Sequence, residues 1–121
     1  MKNLILVTAA LLTLNTMAIS LSEIAGTYEI SPVGAPDIVN IVELKANGEM
    51  TLVENSPFGQ FTCSGVATVT GDIVDSEVEC PNGLSFTQRI DFTGVEISDE
   101  FVAPVFSSLF GAEVPMTFIR M

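Results

Sequence analysis

Residues 61–80 read FTCSGVATVTGDIVDSEVEC, and this stretch decides the fold. On both sides of Gly71-Asp72, Val, Thr, Ile and Phe alternate with small or charged residues. That is the period of a half-buried strand, interrupted by a two-residue turn. Glycine first suits a type II′ hairpin, in which Thr70 faces Ile73. Counting outward pair by pair, Cys63 comes to face Cys80. Bonded and non-bonded pairs alternate from the turn, so the cysteines form a non-hydrogen-bonded pair, where Cα atoms approach to about 4.5 Å. A disulfide accepts that separation at the near edge of its range. Turn chemistry and cysteine spacing thus agree on one register, with free thiols as the alternative.

The same register sorts the faces. Cys63, Gly65, Ala67 and Val69 share one side with Val74, Ser76, Val78 and Cys80; Asp75, Glu77 and Glu79 share the other with Ser64, Val66 and Thr68. One face is core and the other is wet. A three-residue Pro81-Asn82-Gly83 loop then places Val78 beside Phe86, Val74 beside Ile90 and Asp75 beside Arg89. The core face continues through Leu84, Phe86, Ile90 and Phe92, interrupted by Gln88 opposite Ser76.

Working outward, Ala46-Asn47-Gly48 marks a further hairpin, and no internal repeat, linker or low-complexity tract is visible. The strands expected are 27–31, 38–45, 49–54, 61–70, 73–80, 84–93 and 115–121. Between the last two, Phe101, Val102, Val105, Phe106, Leu109 and Phe110 recur at helical spacing, and Gly111 follows as a stop. A short amphipathic helix beginning near Pro104 is expected there, covering an end or side of the sheet. So small a sheet exposes edges unless it closes. The expected fold is mainly β: an antiparallel up-and-down β-barrel of seven to eight strands with one short C-terminal helix.

The first residues set the compartment. Lys2 is followed by the apolar run Leu4–Leu14, then Thr16 and Ala18, the pattern of a secretory signal peptide cleaved after residue 18, or after 20. The run is too short to span a bilayer, which takes about 20 apolar residues. The expected product is a single domain over 21–121, secreted or periplasmic, with no stable membrane insertion after cleavage. Two cysteines in an exported chain favour the Cys63–Cys80 disulfide.

Composition narrows the chemistry. The chain has 15 Asp plus Glu against 4 Lys plus Arg, a formal net charge of -11, and no His. Such acidity argues against nucleic acid as a partner. Without histidine there is no Ser-His-Asp or Cys-His catalysis and no imidazole metal site. The densest polar group is Asp75, Glu77 and Glu79, with Arg89 and Asp91 on the next strand. Alternate positions on one strand lie about 6.6 to 7 Å apart, and cannot converge on calcium, whose oxygens stand at about 2.3 to 2.6 Å. The expectation is a solvated acidic face with an Asp75–Arg89 pair. Lys45 sits at a hairpin turn beside Glu49, and no phosphate loop or metal-spaced cluster occurs. Neither an enzyme, a metal site nor a cofactor is expected.

The residues Gly26-Thr27-Tyr28 at the first strand and Arg120 near the last resemble the lipocalin-like, or calycin, group, which opens with Gly-x-Trp and packs a late Arg over the Trp. The resemblance implies a barrel that carries or senses a small apolar ligand, here with Phe61, Phe86, Ile90 and Phe92 as walls and Gln88 as orienting group. The opening Ile24 to Tyr28 also looks like small periplasmic barrels that inhibit secreted proteases. The alternative function is therefore a protein-binding module, protease-inhibitor-like or an envelope accessory factor. It would use the acidic face or the loops against a basic protein partner.

Overall fold

The computed structural model describes residues 18–56 and 59–121. The stretch 1–17, which carries most of the signal-peptide reading, lies outside the described residues. Eight antiparallel strands follow one another around a closed barrel: β1 (Gly26–Pro32), β2 (Asn40–Leu44), β3 (Glu49–Ser56), β4 (Gly59–Thr70), β5 (Ile73–Glu79), β6 (Ser85–Asp91), β7 (Glu100–Ser107) and β8 (Ala112–Arg120). Each pairs with its sequence neighbour, and β8 returns to β1. A four-residue helix, α1 (Leu21–Ile24), precedes β1. Ser20 caps it: the Ser20 hydroxyl accepts from Glu23 N–H while Glu23 Oε1 accepts from Ser20 N–H. No helix among the described residues is long and apolar enough to cross a membrane.

The central hairpins adopt the register read from the turns. Thr70 faces Ile73, Val78 faces Phe86, Val74 faces Ile90 and Asp75 faces Arg89. The Cys63–Cys80 disulfide joins the pair just beyond the ladder, with Cα atoms 4.2 Å apart. Cys80 N–H donates to Leu84 O and closes the Pro81–Gly83 loop. Two close approaches demand glycine. At Gly65, an added Cβ would run into the Glu77 carbonyl oxygen and lie 3.3 Å from Val78 Cα. At Gly48, with φ +94°, it would lie 2.7 Å from Ala67 O, the strand whose Ala67 N–H donates to Gly48 O.

The C-terminal third departs from expectation. No helix forms over residues 98–111; residues 100–107 are β7, with Phe101, Ala103, Val105 and Ser107 buried. The apolar residues there satisfy both a period of two and a helical spacing, and the barrel decides between them. Without β7, β6 and β8 would each keep an open row of backbone donors and acceptors. Gly111 ends a tight turn and not a helix: Phe110 and Gly111 N–H both donate to Ser107 O. Leu84 also departs, lying ahead of β6 and 38% exposed where a core position was expected.

The disulfide staples the open end of the β4–β5 hairpin, and Cys63 is fully buried. Replacing both cysteines by alanine is expected to cost about 3 kcal/mol of unfolding free energy, as a chain-entropy account gives for so short a loop. Urea unfolding of the double variant beside the native protein checks this.

Candidate functional site

The barrel offers two surfaces on which a site can be built, its interior and its outer wall. The base of the interior is closed by the signature residues. Tyr28, on β1, points inward and is 4% exposed. Its hydroxyl donates to Ile24 O at 2.7 Å, tying α1 across the barrel end. Arg120 Nη2 donates to the Tyr28 hydroxyl at 2.7 Å and to Glu23 O at 3.3 Å, and the guanidinium carbon stands 5.2 Å from the Tyr28 ring centroid. Gly26 begins the same strand beside them. Burial of the Tyr28 phenol raises its pKa above the usual value, and the nearby Arg120 charge and hydrogen bond partly offset that. Gly26, Tyr28 and Arg120 thus form a latch on the closed end.

Above the latch, aromatic rings fill the interior. Phe101 and Phe118 stack with centroids 5.0 Å apart, Tyr28 meets both edge-on at 5.9 and 6.1 Å, and Phe92 leans on both. What remains is a cavity of about 60 Å³. Of the residues expected to hold a ligand, Gln88, Ile90 and Phe92 line this cavity. Phe86 is buried beside Val78 without lining it, and Phe61 is half-buried on β4 away from it. Tyr28, Phe101 and Phe118 are the aromatic wall residues that the ligand expectation left out. The alternation Phe101-Ala103-Val105 was the available signal. Gln88 sits between Ser76 and Ser107 on neighbouring strands, both buried, so the amide belongs to a small polar patch within an otherwise apolar interior.

The outer wall is the larger feature. An open groove of about 1240 Å³ runs across the outside from β3 to β8. Glu49, Asp75, Glu77, Glu79 and Glu113 line it, against Lys45 and Arg89. Both cations are already engaged: Arg89 Nε reaches Asp75 Oδ1 at 2.8 Å and Lys45 Nζ reaches Glu49 at 3.7 Å. The Asp75 carboxylate holds the Arg89 guanidinium above its ordinary pKa. Glu77, Glu79 and Glu113 make no salt bridge among the described residues. Two exposed apolar side chains share the groove, Val66 at 60% and Phe106 at 38% exposure. The expected acidic face is thus dished, with apolar contacts set among its charges. Beside it, the Thr93 hydroxyl and amide hold the Asp91 carboxyl below its usual pKa.

Among the described residues, no group of three or more His, Cys, Asp or Glu stands close enough to hold a metal ion. The chain matches no protein-family model, no curated protein and no solved structure.

The latch carries a pH dependence whose sign follows from Tyr28. A phenol with a raised folded pKa keeps its proton where the unfolded chain has lost it, so the unfolded state is favoured as pH rises past about 10. Barrel stability is expected to fall through that range, and the fall should be smaller in Tyr28→Phe. Tyr28 is the one Tyr in a chain without Trp, so phenolate absorbance reports it alone. A Tyr28 titrating in the free-tyrosine range would contradict the account.

Proposed function

We propose that the protein is an exported binding module that takes a positively charged protein partner on the acidic groove of its outer wall. The observation that carries this reading is the charge left uncompensated there: Glu77, Glu79 and Glu113 line a broad open groove whose two cations are already paired with acids. A cationic partner gains from those carboxylates without first breaking an ion pair, and the field of an acidic protein speeds its approach. Exposed Val66 and Phe106 supply apolar contact within the same groove, where hydrogen bonds and charge alone give little affinity.

Carriage of a small apolar ligand finds less support. A cavity of about 60 Å³ has room for a few waters. Ligand sites run from about 300 Å³ upward. Opening more space would require displacing the Tyr28, Phe92, Phe101 and Phe118 cluster that makes up the core.

The disulfide and the leader-like first residues support residence in an oxidising compartment, periplasm or medium. Cleavage after Ala18 fits the fold better than cleavage after Ser20, because Ile19 N–H donates to Gly71 O and Ser20 caps α1.

Charge reversal tests the groove. With a lysine-rich peptide as probe, the affinity of the native protein is expected to fall steeply as salt rises. The double variant Glu77→Lys, Glu79→Lys should lose at least about tenfold in affinity, since each exposed position contributes a modest charge term. Both side chains are exposed, so the variant should retain the native circular dichroism. Peptide held equally by the variant, or equally at high salt, would overturn the reading.

A further inference from the structure

We propose that the open edge of β7 at Glu100–Pro104 is a second docking site, which an extended, positively charged peptide segment joins as an added strand. The proposal rests on the reading above only for the sign of the partner's charge; the site itself is distinct. β6 and β7 share three pairs, Gln88 with Ser107, Arg89 with Phe106 and Ile90 with Val105. Every other neighbouring pair of strands in the barrel shares five or more.

The cause lies in two residues. Pro104 follows in the ladder and has no N–H to donate across to β6. On the other side the chain leaves β6 at Phe92, whose N–H goes to Asp72 O, and Thr93 N–H turns back onto the Asp91 carboxylate. The alternation of the antiparallel ladder says which β7 groups then face the gap. Arg120 N–H donates to Asp99 O, so odd-numbered residues of this stretch bond toward β8. Ser108 N–H donates to Thr87 O, so even-numbered residues face β6. Val102 N–H, Val102 C=O and Glu100 N–H therefore face the gap, with no partner among the described residues. Glu100 C=O is taken by the Ser98 hydroxyl at 2.8 Å.

An independent observation points the same way. Two outward side chains at this edge are apolar and exposed, Val102 at 50% and Ile119 on the adjoining β8 at 39%, alternating with Glu100 and Thr117 on the same face. Exposed apolar side chains beside an unpaired backbone row are the pattern that recruits another strand: main-chain hydrogen bonds hold the segment, and alternate side chains choose it. The charge selects its composition. Asp91, Glu96, Asp99 and Glu100 lie along the stretch that leaves β6 and enters β7, and no Lys or Arg occurs in the sequence between Arg89 and Arg120. Edge-to-edge pairing with a second copy would bring Glu100 and its neighbours against the same acids, which disfavours self-association. A segment alternating Lys or Arg with Val or Ile meets both requirements.

Amide exchange measured residue by residue on the mature protein tests this. In the free protein, Glu100 and Val102 amides should exchange at least roughly tenfold faster than those of Phe101 and Ala103, which bond toward β8. A capped Lys-Val-Lys-Val-Lys peptide should slow exchange at Glu100 and Val102. Val102→Pro removes the N–H that faces the gap and no bond to β8, so the barrel should form and the peptide should no longer protect the Glu100 amide. Val102→Ala keeps the N–H and should keep the protection. The groove variant Glu77→Lys, Glu79→Lys should also keep it, which separates the two sites. Three results would overturn the proposal: a Val102 amide already protected without peptide, peptide shifts confined to the groove around Glu77, or protection that grows with protein concentration alone.

Discussion

The structure depends on closure of the backbone hydrogen-bond ring, completed where β8 returns to β1 through Tyr28–Arg120, Ile30–Phe118 and their neighbours. Closure spares the chain two open sheet edges, whose unpaired rows of peptide groups either cost free energy or invite another chain. Closure is why residues 100–107 are a strand although their apolar residues also suit a helix. It also sets the shape of the one weakness. Pro104 faces β6, where it has no N–H to give, while the β8 side draws on its odd-numbered neighbours and stays paired, so the ring is continuous in topology and thin at one seam.

Closure has a second consequence, for volume. Eight short strands enclose little space, and four aromatic rings with the aliphatic side chains around them nearly fill it. The Tyr28–Arg120 latch and α1 seal the base, so the phenol is buried and its hydroxyl is committed to both donating and accepting. The features that make the barrel stable are thus those that leave little room for a guest. The larger open spaces lie on the outer wall.

On the outer wall electrostatics dominates. Acids outnumber bases 15 to 4, and within the groove both available cations pair with acids. These exposed pairs add little stability. Their effect is to leave Glu77, Glu79 and Glu113 as net negative charge beside exposed Val66 and Phe106. The two surfaces proposed for docking share this negative charge, one offering mainly side chains and the other chiefly backbone.

The hairpins at Gly71-Asp72 and Pro81–Gly83, the cysteine pair, the Asp75–Arg89 contact and the acidic face were legible in the residues themselves. Each rests on contacts between near neighbours, where turn type and a period of two leave one register. The identity of β7 was not legible, since Phe101 to Phe110 carries two periods at once and only the missing strand between β6 and β8 chooses. Phe61 and Phe86 suit a ligand wall by residue type, yet type and alternation do not say how far along the barrel a side chain lies or how much space is left beside it. That depends on strand tilt and on Phe101 and Phe118 arriving from the far side of the ring. Local pairing and surface charge follow from residues close together in the chain. The strand at Glu100–Ser107, the small interior and the unpaired edge beside Pro104 do not, because each is set by groups far apart in the chain meeting across a closed ring.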